Sequence, residues 1–149
     1  MVDNDLTFHC SVRVRYGETD QMGIAYHANY LAWFDVARTE YLRSLGPDYR
    51  QVEEMGLLLP VVEASCRYLA PARYDDLLQI RVELLALGAA TLCFRYQVLR
   101  ADDGQLLASG QTRQAFVSKD LRPLNCKRRF PEFWQLLQQH LVGSSDHRK

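Results

Sequence analysis

The feature that most constrains this chain is a single long helical pattern followed by almost nothing but alternating strands. From about His27 to Leu45, residues Tyr30, Leu31, Phe34, Ala37, Tyr41, Leu42 and Leu45 share one arc when stepped at 100° each, with Thr39, Glu40 and Arg43 outside it. Gly46 and Pro47 mark its end, a residue suited to the left-handed region followed by one that cannot continue a helix. A shorter helix, Asp48 to Met55, stops at Gly56. Strands are then expected at roughly Leu57 to Leu69, Leu77 to Leu87, Ala90 to Arg100 and Gln105 to Ser118. Leu78, Ile80, Val82 and Leu84 alternate with Gln79, Arg81 and Glu83, so this strand has one wet face. Gly88-Ala89 and Asp102-Asp103-Gly104 read as hairpin links, which makes the sheet mostly an antiparallel meander. The helix would be about 27 Å long and the strands about 36 Å, so a twisted sheet can curl over the apolar arc. The expected class is α+β, an antiparallel sheet wrapped around one long central helix.

Phe8, Cys10, Val12, Val14 and Tyr16 alternate with His9, Ser11, Arg13 and Arg15, the pattern of a half-buried first strand. It runs into the polar turn Gly17-Glu18-Thr19-Asp20-Gln21-Met22-Gly23, then Tyr26-His27 and the long helix, so the polar chemistry is concentrated here. The 149 residues suffice for one domain spanning 1–149, with a short amphipathic segment from Pro131 to Leu141 and a polar tail over 143–149. With 18 Lys+Arg against 18 Asp+Glu there is no broad basic footprint, and nucleic acid is a poor partner for such a surface. Cys10, Cys66, Cys93 and Cys126 lack metal-ligand spacing and read as reduced, packed thiols; no metal site is expected. Asp3 and Asp5 stand where a signal peptide needs positive charge, and no apolar run reaches membrane-span length. A cytoplasmic protein without stable membrane insertion is the expectation.

The stretch Arg15-Tyr16-Gly17-Glu18-Thr19-Asp20-Gln21-Met22-Gly23-Ile24-Ala25-Tyr26-His27-Ala28-Asn29-Tyr30 resembles the signature of hotdog-fold acyl-CoA thioesterases of the 4-hydroxybenzoyl-CoA thioesterase type. It is most similar to the subgroup associated with the Tol-Pal cluster. The likeness continues through Ala37-Arg38-Thr39-Glu40-Tyr41-Leu42, Pro71-Ala72-Arg73-Tyr74-Asp75-Asp76 and Arg122-Pro123. Its T-D-x-x-G-x-x-Y-H core, followed by a helix and then strands, agrees with its structural context. The resemblance implies a hotdog fold, a homodimer joined sheet edge to sheet edge with active sites at the interface, and commonly a homotetramer. It implies hydrolysis of an acyl thioester to free acid and coenzyme A.

Thioester hydrolysis needs a group that attacks or activates water, and donors for the oxygen that becomes negative. Coenzyme A is part of the substrate, and no other cofactor is required. The resemblance gives Asp20 the catalytic role, either as nucleophile forming a mixed anhydride or as general base; both remain open. The helix N-terminus, especially the His27 N–H, can serve as oxyanion site. Tyr26 and the His27 ring are candidates for positioning the thioester or orienting Asp20, and Tyr16, Asn29 and Met22 for lining the substrate cleft. Against these stand plainer roles: Asp20 as a helix-proximal turn residue, His27 as a structural histidine, Tyr16 and Tyr26 as packing residues, and Asn29 as a first-turn hydrogen-bonding residue. Arg38 interrupts the apolar arc, and pairing with Asp35 is its expected solution. Met55 and Leu57-Leu58-Leu59 are candidates for an acyl pocket, with plain core as the alternative. The link Leu87-Gly88-Ala89-Ala90-Thr91 departs from the family in carrying no basic residue for coenzyme A phosphates, so Lys119, Arg122, Lys127, Arg128 and Arg129 are the remaining cations near the last strand. An acyl-carrier-protein thioester, which lacks the nucleotide, is therefore an alternative substrate. Two competing readings are a hydroxyacyl dehydratase, whose His and carboxylate pattern Asp20 and His27 do not resemble closely, and a non-catalytic acyl-binding scaffold.

Overall fold

A computed structural model describes residues 8–143. The elements run β1 (Phe8–Arg13), a 3₁₀ turn (Tyr16–Glu18), α1 (Asn29–Ser44), α2 (Pro47–Glu54), β2 (Val61–Tyr68), β3 (Leu77–Leu87), β4 (Thr91–Arg100), β5 (Leu106–Ala115), α3 (Cys126–Arg129) and α4 (Pro131–His140). The five strands form one sheet in the order β1-β3-β4-β5-β2. β3, β4 and β5 are the meander expected from their short links, whereas β2 leaves sequence order and takes the edge beside β5. β1 pairs antiparallel with β3 in a register that sets Phe8 opposite Val82 and Arg13 opposite Leu77. The arrangement is the hotdog thioesterase fold, an antiparallel sheet with helices. The tail expected over 143–149 lies outside the described residues beyond Gly143, as do Asp3 and Asp5.

Contacts group the chain into two compact units. The first holds the segment to Tyr41, Ser65–Val82 and Arg95–Gln111. Within it Phe34 is fully buried and stacks on the buried Tyr96 at 4.3 Å between centroids and 7° between planes. Gly110 faces the same ring: a Cβ built there would stand 2.5 Å from the Ser65 carbonyl and 2.6 Å from the Phe34 ring. Ala37, Leu78, Ile80, Val98 and Leu107 are buried in the same unit. Arg38, the cation inside the apolar arc, donates to Asp35 as the sequence predicts and also to the Tyr96 hydroxyl at 3.0 Å. Trp33 is buried although it lies off the predicted arc, while Leu31, on that arc, is exposed.

The second unit holds Leu42–Ala64, Glu83–Phe94 and the described segment from Thr112 onward. α2 begins with Pro47 in its first turn, directly after Gly46 at φ +98°, and gives way to Gly56 at φ +101°. Here the Trp134 indole donates to the Gly88 carbonyl at 2.9 Å, and the Cys126 N–H to that of Ala89 at 2.8 Å, so the tight link after β3 anchors α3 and α4. Leu57 is core, whereas Leu58 and Met55 are exposed.

Two sequence expectations are corrected. β1 stops at Arg13 rather than Tyr16, because Val14 turns to exchange hydrogen bonds with Asp76 and Asp75 and the chain then tightens into the 3₁₀ turn. Tyr16 is consequently 78% exposed instead of lying on the buried face, its ring edge-on to Tyr74 at 5.8 Å. The long helix starts at Asn29 rather than His27, β2 and β5 are a few residues shorter than predicted, and β3 matches its predicted limits.

Replacing Gly110 by Ala forces a methyl group against backbone and a stacked ring. Overpacking of this kind costs about 1–3 kcal/mol. The Gly110→Ala variant should show a lowered urea midpoint with an unchanged denaturant slope; an unchanged midpoint would show that the ring can withdraw without penalty.

Candidate active site

The polar segment after β1 is folded by its own backbone. Thr19 and Ala25 pair antiparallel, the Asp20 N–H donates to the Ile24 carbonyl at 2.9 Å, and the Gly23 N–H returns to the Asp20 carbonyl at 2.9 Å. Gly23 closes this small hairpin at φ +81°, a conformation that favours glycine. Asp20 Oδ1 accepts the Met22 N–H at 2.9 Å, an Asx turn that fixes the carboxyl group through one oxygen. Among the described residues no protein donor pairs with its other oxygen. The hairpin is held from outside as well, since the Ala25 N–H donates to the Ala72 carbonyl at 2.8 Å and Ile24 bridges to Arg73.

Glu18 joins this hairpin to α1. Its carbonyl accepts both the Tyr26 N–H at 2.8 Å and the Asn29 side-chain amide at 2.7 Å. Its carboxylate accepts the Arg15 N–H at 2.8 Å and the Trp33 indole N–H at 3.3 Å, with the Arg15 guanidinium also 3.3 Å away. Burial alone would raise its pKa, but the hydrogen bonds from Arg15 and Trp33 outweigh it, so the carboxyl is held below its usual value of 4.5.

The chain enters α1 through a tight turn in which the Asn29 N–H donates to the Tyr26 carbonyl at 3.0 Å and the Tyr30 N–H to that of His27 at 3.3 Å. Among the described residues the N–H groups of His27 and Ala28 pair with no acceptor. No acidic residue occupies the first turn of α1, so the positive end of the helix dipole is not offset by its own side chains. The Tyr26 and His27 rings lie 4.7 Å apart, and both residues are exposed. Met22 is 74% exposed.

The sequence-predicted residues therefore fall into three groups. Asp20, Tyr26 and His27 belong to one hydrogen-bonded corner through the hairpin and Glu18. Asn29 takes the first-turn structural role, with its amide on Glu18, and Tyr16 and Met22 stand exposed on the 3₁₀ turn and the hairpin tip. Two residues escaped the sequence reading. Glu18 carried a signal, an acidic residue inside the turn motif. Tyr68 carried none, because its partners are distant in sequence: its hydroxyl donates to the carbonyl of His27, 41 residues away, at 2.9 Å, and its ring packs edge-on to Tyr30 at 5.0 Å.

None of the thiols is activated. Burial raises Cys10, Cys66 and Cys93 above the ordinary thiol value and pushes Cys126 up to about 12. Among the described residues no cluster of His, Cys, Asp or Glu has a metal-binding arrangement, and no helix is long and apolar enough to cross a membrane. The constellation thus offers one carboxylate with a free oxygen and two adjacent backbone donors, a set suited to hydrolysis of an acyl group.

Comparison with known proteins agrees with this chemistry. The family model described as the thioesterase superfamily matches residues 22–107. The acyl-CoA thioesterase YbgC of Haemophilus influenzae is 40% identical over 101 residues, covering 67% of this chain and 73% of its own. The acyl-CoA thioester hydrolase YbgC of Escherichia coli is 34% identical over 100 residues, covering 67% and 75%. The structure of the DHNA-CoA thioesterase from Staphylococcus aureus superposes with a TM-score of 0.85 at 26% identity, covering 95% of this chain and 94% of that one.

Because the carboxylate of Glu18 is more acidic in the folded chain than in the unfolded one, its contribution to stability is complete above about pH 4.5 and is lost as pH falls through the lowered folded value. The gap in urea midpoint between the wild type and Glu18→Gln should therefore be wide at pH 7 and narrow at pH 3. A gap equally wide at both would mean that the charge plays no part.

Proposed function

This chain belongs to the thioesterase superfamily, and on that premise we propose that it hydrolyses acyl-CoA thioesters to a free carboxylic acid and coenzyme A, with Asp20 as its catalytic carboxylate. The observation that carries the reading is that a half-tethered Asp20 and the open N–H groups of His27 and Ala28 belong to one hydrogen-bonded corner. The thioester oxygen would lie on those N–H groups, where the helix dipole favours the negative charge that develops on it. The free oxygen of Asp20 then either adds to the carbonyl carbon, expelling the thiolate and leaving a mixed anhydride for water to cleave, or takes a proton from the water that adds. In both routes the C–S bond breaks, the sulfur leaves as coenzyme A thiol and water supplies the new carboxyl oxygen. A carboxylate and backbone donors suffice for these steps, so the reaction needs no resident cofactor.

The exposed side chains of Tyr16, Met22 and Tyr26 would face the acyl and pantetheine parts of the substrate. Lys127 is packed over the Trp134 ring and Arg129 over Phe130, which leaves Lys119, Arg122 and Arg128 as the candidates for coenzyme A phosphates near the last strand. The uncharged link Gly88-Ala89-Ala90 supports an acyl-carrier-protein thioester as the second reading, since that substrate brings no nucleotide phosphates to be matched. Within the superfamily we place the chain with the 4-hydroxybenzoyl-CoA thioesterase type, nearest the Tol-Pal-associated subgroup, on the T-D-x-x-G-x-x-Y-H motif. We propose that it acts as one domain in the cytoplasm, a setting consistent with four free cysteines. We also propose a homodimer formed through β2, an edge strand whose Val61 and Val62 are exposed, with pairing of such dimers to a tetramer as the further possibility.

Thiol release from short, medium, long and aromatic acyl-CoAs tests the proposal. Asp20→Ala, folded as judged by its circular dichroism, should lose about 10²–10⁴-fold in kcat. Equal turnover by wild type and variant would remove Asp20 from the mechanism. Turnover of acyl-carrier-protein thioesters alone would establish the second reading.

A further inference from the structure

The proposed mechanism leaves one side chain at the entrance of α1 unused. Tyr68 closes the edge strand β2, and its hydroxyl donates to the His27 carbonyl at 2.9 Å. Its ring stands edge-on to His27 at 6.1 Å and 84° and to Tyr30 at 5.0 Å and 86°, so the phenol is fixed by packing on two sides. A peptide group whose carbonyl accepts a hydrogen bond is polarised, and its own N–H becomes a stronger donor. Two successive peptide groups matter here. In the Tyr26–His27 peptide the carbonyl accepts the Asn29 N–H at 3.0 Å, which strengthens the His27 N–H. In the His27–Ala28 peptide the carbonyl accepts the Tyr30 N–H at a longer 3.3 Å and the Tyr68 hydroxyl at 2.9 Å, which strengthens the Ala28 N–H. The first peptide is therefore held by the local turn, whereas the second takes its shorter bond from a strand 41 residues away.

We propose that Tyr68 is a positioning residue for thioester hydrolysis, its hydroxyl orienting and polarising the His27–Ala28 peptide so that the first-turn N–H groups are set for the thioester oxygen. This rests on the reading of that turn as the oxyanion site. Tyr68 acts through the backbone and not on the substrate. Its effect accordingly belongs to the transition state, where the oxygen charge is largest, and falls on kcat more than on KM. Burial and the neighbouring Cys66 thiol push the Tyr68 hydroxyl up to about 12, so it keeps its proton throughout the range in which thioesters are assayed.

The test uses the full chain and whichever of acetyl-, octanoyl-, palmitoyl- and benzoyl-CoA it turns over fastest. Tyr68→Phe keeps the ring and removes the hydroxyl; kcat should fall about tenfold or more with KM changed less than about threefold. Cys66→Ala, which leaves the Tyr68 bond to His27 in place, should stay within about twofold of the wild type in kcat. A spectroscopic readout separates positioning from general loosening. With a ¹³C-carbonyl thioester bound to the Asp20→Asn protein, the carbonyl stretch should move to higher frequency when Tyr68→Phe is added. If Tyr68→Phe does not fold, 3-fluorotyrosine placed at position 68 strengthens the donor at nearly constant shape, and the band should move to lower frequency. The proposal is overturned by an unchanged kcat, by a change in KM alone, by an unmoved carbonyl band, or by Cys66→Ala losing as much activity as Tyr68→Phe. If Asp20→Ala remains active, the reading of the site itself has failed. If Asp20→Ala is inactive and Tyr68→Phe is fully active, only the role of Tyr68 has failed.

Discussion

The candidate site depends first on the doubly used carbonyl of Glu18. A single oxygen accepts the N–H of Tyr26 and the side-chain amide of Asn29, so the end of the hairpin and the start of α1 share one anchor. The carboxylate of the same residue reaches back to Arg15 and forward to Trp33, tying the exit of β1 to the second turn of the helix. Charge-assisted bonds of this kind are roughly twice as strong as neutral ones, and Glu18 stays ionised because those donors outweigh its burial. Without this anchor, the carboxylate of Asp20 and the open N–H groups of the first turn would sit on separately moving pieces of chain.

A second layer supports the first. Arg100 donates to Asp76 at 3.2 Å, to Asp103 at 2.9 Å and to the Pro71 carbonyl at 3.0 Å, fastening the loop before β3 to the β4–β5 hairpin. That loop supplies Ala72 and Arg73, which hold Ala25 and Ile24. The position of Asp20 therefore traces through a sequence of main-chain contacts to a guanidinium in another strand. Ordinary hydrogen bonds made in a partly buried setting carry this chain of support.

What could be read from the sequence followed from local periodicity and local punctuation. β3 occupies the predicted residues Leu77–Leu87 because both of its ends are marked by turn formers. Gly104 takes the left-handed conformation that its hairpin link required, and Gly46-Pro47 ends the long helix as expected. The motif around Asp20 and His27 was visible for the same reason, since its parts lie within a dozen residues. Tyr16 was misplaced because alternation cannot show where a strand gives way to a 3₁₀ turn under the pull of Asp75 and Asp76. Trp33 is buried although it falls off the arc that periodicity defines, and the Tyr68 hydroxyl reaches His27 through a strand order that the sequence does not encode locally. The resemblance supplied the family, and the coordinates supplied the long-range partners.

The Asx turn at Asp20 has a consequence for how such a site can diversify. The carboxyl group is tethered by the main-chain N–H of residue 22, while the side chain at that position projects outward and is 74% exposed. Any amino acid except proline supplies the same tether. The side chain beside the Asp20 carboxylate can therefore be exchanged, altering the surface around it while leaving the carboxyl group where it stands. One residue thus has two separable parts, a main-chain N–H that tethers the Asp20 carboxyl and an exposed side chain that does not.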